Sequence, residues 1–423
     1  MACRSSRAAL GAVALGASAC TLLTEPFSTN DFSGDPYPIA VDLSSGALRI
    51  ATAEPASPSR DSLLDVLAPI SILDPGPSGQ VRTRQRSLYV LGQPTTPGGR
   101  EVARALLSGV IAELHPCREE VCRAGADDAT YPVQVVIGSD LLSGDALRLD
   151  LSAQRMSLFP DIAGNDSART QACDALFSAP FFGGGTLLLG GTEVPYIGRR
   201  VALSVCAAPA PSQDLPLRER GTDLIMVAST ATGISLLGAA GYERYRDLHP
   251  EALPTSSLPP GGVTLPSGRI EGRLASIPSL ALVGQTTSRG ACQDVYAHHY
   301  LTERDCPGLP GDGCPCDTGT QCGAPAIVEL SAPTQVLIIA DEEPLLVALR
   351  TELRPDQADV DGILGTAVLA RLQVDLDYPN NRVLARCSDA GCQVRPELAN
   401  TNQRDHVKAC LPPTAAAEGS SNR

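Results

Sequence analysis

A gapless internal repeat constrains this chain more than any other feature of its 423 residues. Residues 136–158 read VIGSDLLSGDALRLDLSAQRMSL, and residues 361–383 read DGILGTAVLARLQVDLDYPNNRV. Ile137-Gly138 stands opposite Leu364-Gly365, Leu141-Leu142 opposite Val368-Leu369, Asp150 opposite Asp377 and Arg155 opposite Arg382. Each copy reads as an apolar strand ending in glycine, a short apolar turn, an alternating strand, a polar turn and a resumed strand. A repeat of this kind fixes architecture before any local propensity is consulted, and two copies imply two lobes rather than a solenoid.

The correspondence extends upstream. Pro38-Ile39-Ala40-Val41 is answered by Leu224-Ile225-Met226-Val227, and Leu88–Gly92 by Val336–Ala340. LLSGVIAELHP (106–116) aligns without gaps on LLVALRTELRP (345–355), with Leu106, Val110 and Leu114 in one and Leu345, Leu349 and Leu353 in the other at i, i+4, i+8. That spacing predicts a core-facing helix in each lobe. Asp341 is the expected cap of the second, with Glu342, Glu343 and Pro344 at its start.

The expected division is a leader at 1–19, a tether at 20–34, lobe one at 35–160, a Gly/Asp/Asn-rich linker at 161–172, lobe two at 173–397 and a disordered tail at 398–423. Gly183–Val205 reads as a β-hairpin feeding lobe two. A Cys-rich insert at about 285–324 carries Cys292, Cys306, Cys314, Cys316 and Cys322.

Composition agrees with turn-rich β structure: there are 39 Gly and 35 Pro, and only 19% of residues are charged. A net charge of -14 argues against a nucleic-acid partner, which needs a basic face. Past the leader there is no apolar run long enough for a membrane-spanning helix.

At the N-terminus, Arg4 and Arg7 precede the short apolar run Ala8–Leu15 and then Ala17-Ser18-Ala19-Cys20. This is a secretory signal. It leaves two outcomes: cleavage and release to the periplasm or medium, or a bacterial lipoprotein with Cys20 lipidated and the chain tethered to the outer membrane. Cysteine parity favours the second. Of 14 cysteines, Cys3 leaves with the signal, and lipidation of Cys20 leaves an even set able to pair fully. In an oxidising envelope these read as disulfides. Cys117/Cys122 and Cys387/Cys392 are spaced for local loops.

Taken together, the duplicated strand, turn, hairpin and apolar-apolar-Gly strand, with DGILG followed by DYPNNRV, resembles the aspartic proteases, and in particular the retropepsin-like proteases of bacteria. The resemblance implies a mostly β chain in a bilobal, pepsin-like arrangement of two retropepsin-like β-barrel lobes, each with a short helix. It also implies one catalytic Asp per lobe, at the first residue of a D-[ST]-G turn beside the apolar-apolar-Gly strand. Such a pair shares one proton, so one carboxyl serves as base on water and the other as acid.

Aligned on Gly46 and Gly233, the positions that should carry Asp are Ser44 and Ala231. Asp42 is the fallback carboxylate, and Gly138 and Gly365 are the packing glycines. A literal Asp317-Thr318-Gly319 lies in the Cys-rich insert and reads as a stapled surface turn. Cys306, Cys314, Cys316 and Cys322, with His298 and His299, match no common zinc spacing, so no metal and no cofactor are expected. Asp150 and Asp377 read as turn residues paired with Arg155 and Arg382.

The expected protein is a monomeric, inactive pseudoprotease whose interlobe cleft takes a peptide or protein segment by strand addition. The alternatives are an active endopeptidase using Asp42 with a second carboxylate, and a structural envelope lipoprotein.

Overall fold

The computed structural model describes residues 36–55, 57–74, 82–94, 102–113, 135–160, 175–178, 181–189, 192–209, 221–266, 268–285, 325–330, 332–353 and 360–396. Expected features at Cys20, Cys117/Cys122, the linker, residues 286–324 (with Asp317 and the His298/His299 pair) and the tail lie outside these residues.

Lobe one contains β1 (Tyr37–Val41), β2 (Leu48–Ala53), β3 (Arg60–Leu64), β4 (Ile72–Leu73), β5 (Arg82–Pro94), β6 (Val102–Glu113), β7 (Val135–Ile137), β8 (Asp145–Asp150) and β9 (Arg155–Pro160). Strand β2 alternates buried Leu48, Ile50 and Thr52 with more exposed Arg49, Ala51 and Ala53, the two-residue period of a strand with one face on a core. The pairings β3–β2, β2–β5, β5–β6, β6–β4, β4–β7 and β7–β3 return to their starting strand and close a six-stranded barrel.

Lobe two begins with β10 (Ala175–Ser178), β11 (Phe181–Leu189), β12 (Thr192–Ala208), β13 (Thr222–Ala228), β14 (Ser235–Gly238) and α1 (Ala239–Leu248). It continues with β15 (Pro260–Leu265), β16 (Gly268–Ile277), β17 (Ser279–Gln285), β18 (Pro325–Leu330), β19 (Thr334–Ile339) and α2 (Pro344–Leu353). It ends with β20 (Gly362–Leu364), α3 (Thr366–Leu369), β21 (Leu372–Asp377), β22 (Arg382–Cys387) and β23 (Cys392–Pro396). The duplication is visible in the ladders. β13 runs parallel to β20 as β3 does to β7, and β14 pairs with β19 and β20 as β4 does with β6 and β7.

The lobes share an antiparallel six-stranded sheet in the order β1-β9-β8-β21-β22-β10. Its centre, the β8–β21 pair, joins the two copies of the repeat through Leu147 opposite Leu376 and Leu149 opposite Val374. One face is apolar and buried (Leu147, Leu149, Met156, Leu158, Val374, Leu376). The other carries ion pairs: Arg148 grips Asp375 through two contacts of 2.7 and 2.8 Å, and Arg382 meets Asp377 at 2.8 Å. Asp150 lies directly across from Arg155, as Asp377 does from Arg382, and the first pair is 3.7 Å apart. Both aspartates thus have the turn roles expected for them. The polar turns match even in strain. Gln154 and Asn381, at the same repeat position, have φ of 53° and 51°, in the left-handed region that few non-glycine residues adopt.

Four expectations are corrected. Residues 106–113 form strand β6, not a helix. Leu107 and Ile111 are buried while Val110 is half exposed, and residues four apart share a strand face as well as lying close on a helix face, so their spacing could not discriminate. Residues 38–41 belong to β1, whose counterpart is β10; the counterpart of 224–227 is β3. Likewise the partner of β19 is β6, not the segment 88–92 in β5. The helix expected at 345–355 is present as α2, but Asp341 accepts the Ala240 N–H at 2.8 Å and so caps α1 instead.

Cys387 and Cys392 form a disulfide across the β22–β23 turn, and Cys206 is also disulfide-bonded. With the partners only five positions apart, replacing both Cys387 and Cys392 with Ser is expected to reduce the unfolding free energy by about 2 kcal/mol. Urea titration with and without reductant checks it: the variant should be indifferent to reduction at this bridge. No helix among the described residues is long and apolar enough to cross a membrane.

Candidate functional site between the lobes

Beyond the ends of β3 and β13 the two chains continue in the same hydrogen-bond register. Asp65 N donates to Ile137 O and Ser229 N to Leu364 O, both at 2.9 Å. Six residues on, Ser71 Oγ accepts Gly138 N at 2.9 Å and Ser235 Oγ accepts Gly365 N at 3.0 Å. DVLAPIS (65–71) and STATGIS (229–235) therefore correspond residue for residue, each beside its apolar-apolar-Gly strand. The packing glycines have a steric reason. A Cβ on Gly138 would lie 2.7 Å from Ala68 O, and one on Gly365 2.5 Å from Ile234 O.

The equivalent positions Asp65 and Ser229 face each other. Ser229 Oγ donates to Asp65 Oδ1 at 3.4 Å, and the same oxygen accepts Leu67 N–H at 3.0 Å. Both residues are buried. Burial pushes the Asp65 carboxyl up to about 6, against the pull of the Leu67 N–H and the Arg200 charge. Next to it, Thr230 Oγ1 donates to Leu64 O at 2.6 Å and accepts Val66 N–H at 3.0 Å, so one hydroxyl of lobe two holds both backbone groups flanking Asp65. The matching position in lobe one is Val66, which has no hydroxyl to return the bond.

Two hairpins cross between the lobes. The β1–β2 turn reaches lobe two, where Gly233 N donates to Ser45 O at 2.6 Å and Thr366 Oγ1 to Gly46 O at 2.5 Å. Gly46 has φ 71°, and a Cβ there would meet Gly233 Cα at 2.2 Å. Reciprocally, the β11–β12 hairpin reaches lobe one, where a Cβ on Gly198 would lie 2.0 Å from Pro69 O, the counterpart of Gly233. From the same hairpin Arg200 Nε donates to Leu67 O at 2.8 Å, and its guanidinium pairs with Glu352 of α2.

Ser44 and Ala231 are not brought together. Ser44 lies exposed in the β1–β2 turn, where its Oγ donates to Asp42 at 2.6 Å. Ala231 is buried and corresponds to Leu67. Asp42 also organises that turn. The Ser44 hydroxyl and N–H, then Ser45 N–H and Arg49, hold its carboxyl down at about 2 against a small opposing effect of burial. The positions beside the apolar-apolar-Gly strands are instead Asp65 and Ser229. A sequence signal for them existed: an apolar run followed by Asp or Ser, with Ser six residues later, in both lobes. It was hidden because neither turn keeps the D-[ST]-G form, reading D-V-L in one and S-T-A in the other.

No family model matches the chain, and no curated protein matches it. Among solved structures, it is similar to an aspartic proteinase from Irpex lacteus, at 10% identity and a TM-score of 0.38 over 84% of this chain and 97% of that one. Basic 7S globulin from soybean is similar at 12% identity and TM-score 0.41, over 84% and 95% of the two chains. Conglutin gamma, a basic 7S globulin from lupine seeds, is similar at 11% identity and TM-score 0.38, over 84% and 94%.

Proposed function

We propose that this chain is an exported pseudoprotease with an aspartic-protease-like fold, which binds an extended peptide or protein segment between its lobes without cleaving it. The supporting observation is the pair Asp65–Ser229. Acid proteolysis by two carboxyls needs one ionised and one protonated group side by side. Here one carboxyl faces a hydroxyl, which is too weak an acid to protonate a peptide carbonyl and has no charge to share a proton with Asp65. The frame supplies what binding needs, two lobes around a shared sheet. Main-chain hydrogen bonds to an extended segment give affinity in such a setting. The signal sequence, the Cys387–Cys392 disulfide and the even cysteine set support export, with Cys20 as the lipid-bearing residue.

The test is a random peptide library incubated with the protein from pH 3 to pH 7 and read by mass spectrometry, alongside affinity selection from the same library. Retention of extended peptides with no new termini is expected. Cleavage that is inhibited by pepstatin and lost in Asp65→Asn would overturn the reading. Labelled fatty acid should enter the wild type and not Cys20→Ala.

A further inference from the structure

Strand β5 carries the sequence Arg82-Thr83-Arg84-Gln85-Arg86, and its three arginines share one face with Leu88 and Val90, which are buried in the barrel core. Arginines on a core-facing side need a partner, and Glu113 on β6 is in place. It sits directly opposite Arg82, it is 1% exposed, and both Arg82 Nε and Arg86 Nη2 donate to its carboxylate. Burial alone would raise the Glu113 carboxyl, but Arg86 and Arg82 outweigh it and hold it below the usual carboxylate range.

That carboxylate does not satisfy the cluster. Arg84 Nε is 3.8 Å from Glu113, beyond hydrogen-bonding distance, and its side chain is 49% exposed. Arg82 is equally exposed. On the neighbouring side Arg86 and Arg60 approach Glu54 only to 3.8 and 4.0 Å. Among the described residues the network thus holds Arg60, Arg82, Arg84 and Arg86 against Glu54 and Glu113, an excess of two positive charges in a chain whose net charge is -14. Like charges are held together here at an electrostatic cost that a bound anion would offset.

We propose that this cluster binds a phosphoryl oxyanion. The chemistry matches on two counts. A phosphate monoester carries about -1.5 to -2 charge at neutral pH, which equals the local excess. Guanidinium forks also recognise phosphate oxygens in pairs. Glu113 is the positioning residue: it fixes Arg82 and Arg86 and leaves Arg84 and the outward N–H groups for the ligand.

The experiment uses the protein with Cys20→Ala, so that no lipid anchor drives flotation, in two arms, calorimetric titration with inorganic phosphate and flotation with phosphatidylcholine vesicles doped with phosphatidic acid. Arg84→Gln is the variant, since Arg84 makes no hydrogen bond to Glu113; an unchanged thermal midpoint confirms its fold. Saturable phosphate binding, weakened about tenfold in Arg84→Gln, is expected. Vesicle flotation weakened by the same variant and competed by phosphate identifies a lipid headgroup as the source, and its absence alongside phosphate binding identifies a soluble phosphorylated ligand. No saturable binding in either arm, equal binding by wild type and variant, or full displacement by chloride at matched ionic strength overturns the proposal.

Discussion

Thr230→Val is expected to lower the free energy of unfolding by about 2–6 kcal/mol, read as a shift of the urea midpoint with little change in slope. Valine keeps the shape of threonine, so packing is nearly conserved and the loss is polar. The Thr230 hydroxyl is the hydrogen-bond partner of Leu64 O and of Val66 N–H, at 2.6 and 3.0 Å, and Thr230 itself is fully buried. Removing it strands one buried acceptor and one buried donor, each costing about 1–3 kcal/mol when unpaired. The contact spans 166 residues of sequence and two lobes, so the variant should also weaken the coupling between them. A broadened or biphasic transition, with probes in β5 and α2 no longer coincident, is the expected signature. A midpoint within error of wild type would show that another contact carries the junction.

Asp65→Asn is expected to make the protein more stable than wild type above pH 7, by up to about 3 kcal/mol, and to leave it similar near pH 4. Burial raises the folded-state pKa of Asp65 from 3.8 to about 6. Between those values the native state holds a proton that the unfolded chain has released, so stability falls as pH rises through this window. Above pH 6 the folded protein carries a buried charge, and the full deficit of about two pKa units persists. Asparagine removes that charge and keeps an oxygen for Leu67 N–H. Asp140, raised to about 6 chiefly by burial against its bonds to Ser71, contributes with the same sign. The variant therefore loses one of the two carboxyl components, Asp65 and Asp140, that lower stability as pH rises. Stability measured by urea titration between pH 4 and pH 8 decides it; parallel curves for variant and wild type would place the Asp65 titration outside this range.

Several parts of the molecule were legible before any coordinates. The repeat located β7 to β9 and β20 to β22, because strands that pair in the same register demand the same apolar alternation. It even aligned Gln154 with Asn381, whose left-handed backbone closes each turn. Asp377 and Arg382 were readable as partners because five residues across a tight turn leave them facing. The Cys387–Cys392 bridge was readable for the same reason. Helix α2 was also within reach, since its apolar spacing is supported by acidic residues and a proline at its start.

The sequence by itself determined a duplicated, mostly β chain with two packing glycines, and it pointed to a site lacking both acids, at Ser44 and Ala231. Only the tertiary structure decided which residues form that site. Asp65 and Ser229 are 164 residues apart, and once the turn glycine is gone the local marks left are an apolar run before each and a Ser six residues after it. Their identity follows from ladders, β3 on β7 and β13 on β20, that exist only when distant strands pair. The same holds for β6, where i, i+4 apolar spacing suits a helix or a strand equally until β5 and β4 supply its partners. Glu113, too, becomes the anchor of Arg82 and Arg86 only after β5 and β6 fold together. Local sequence specifies backbone conformation over a few residues, whereas a site is set by which faces long-range pairing turns toward each other.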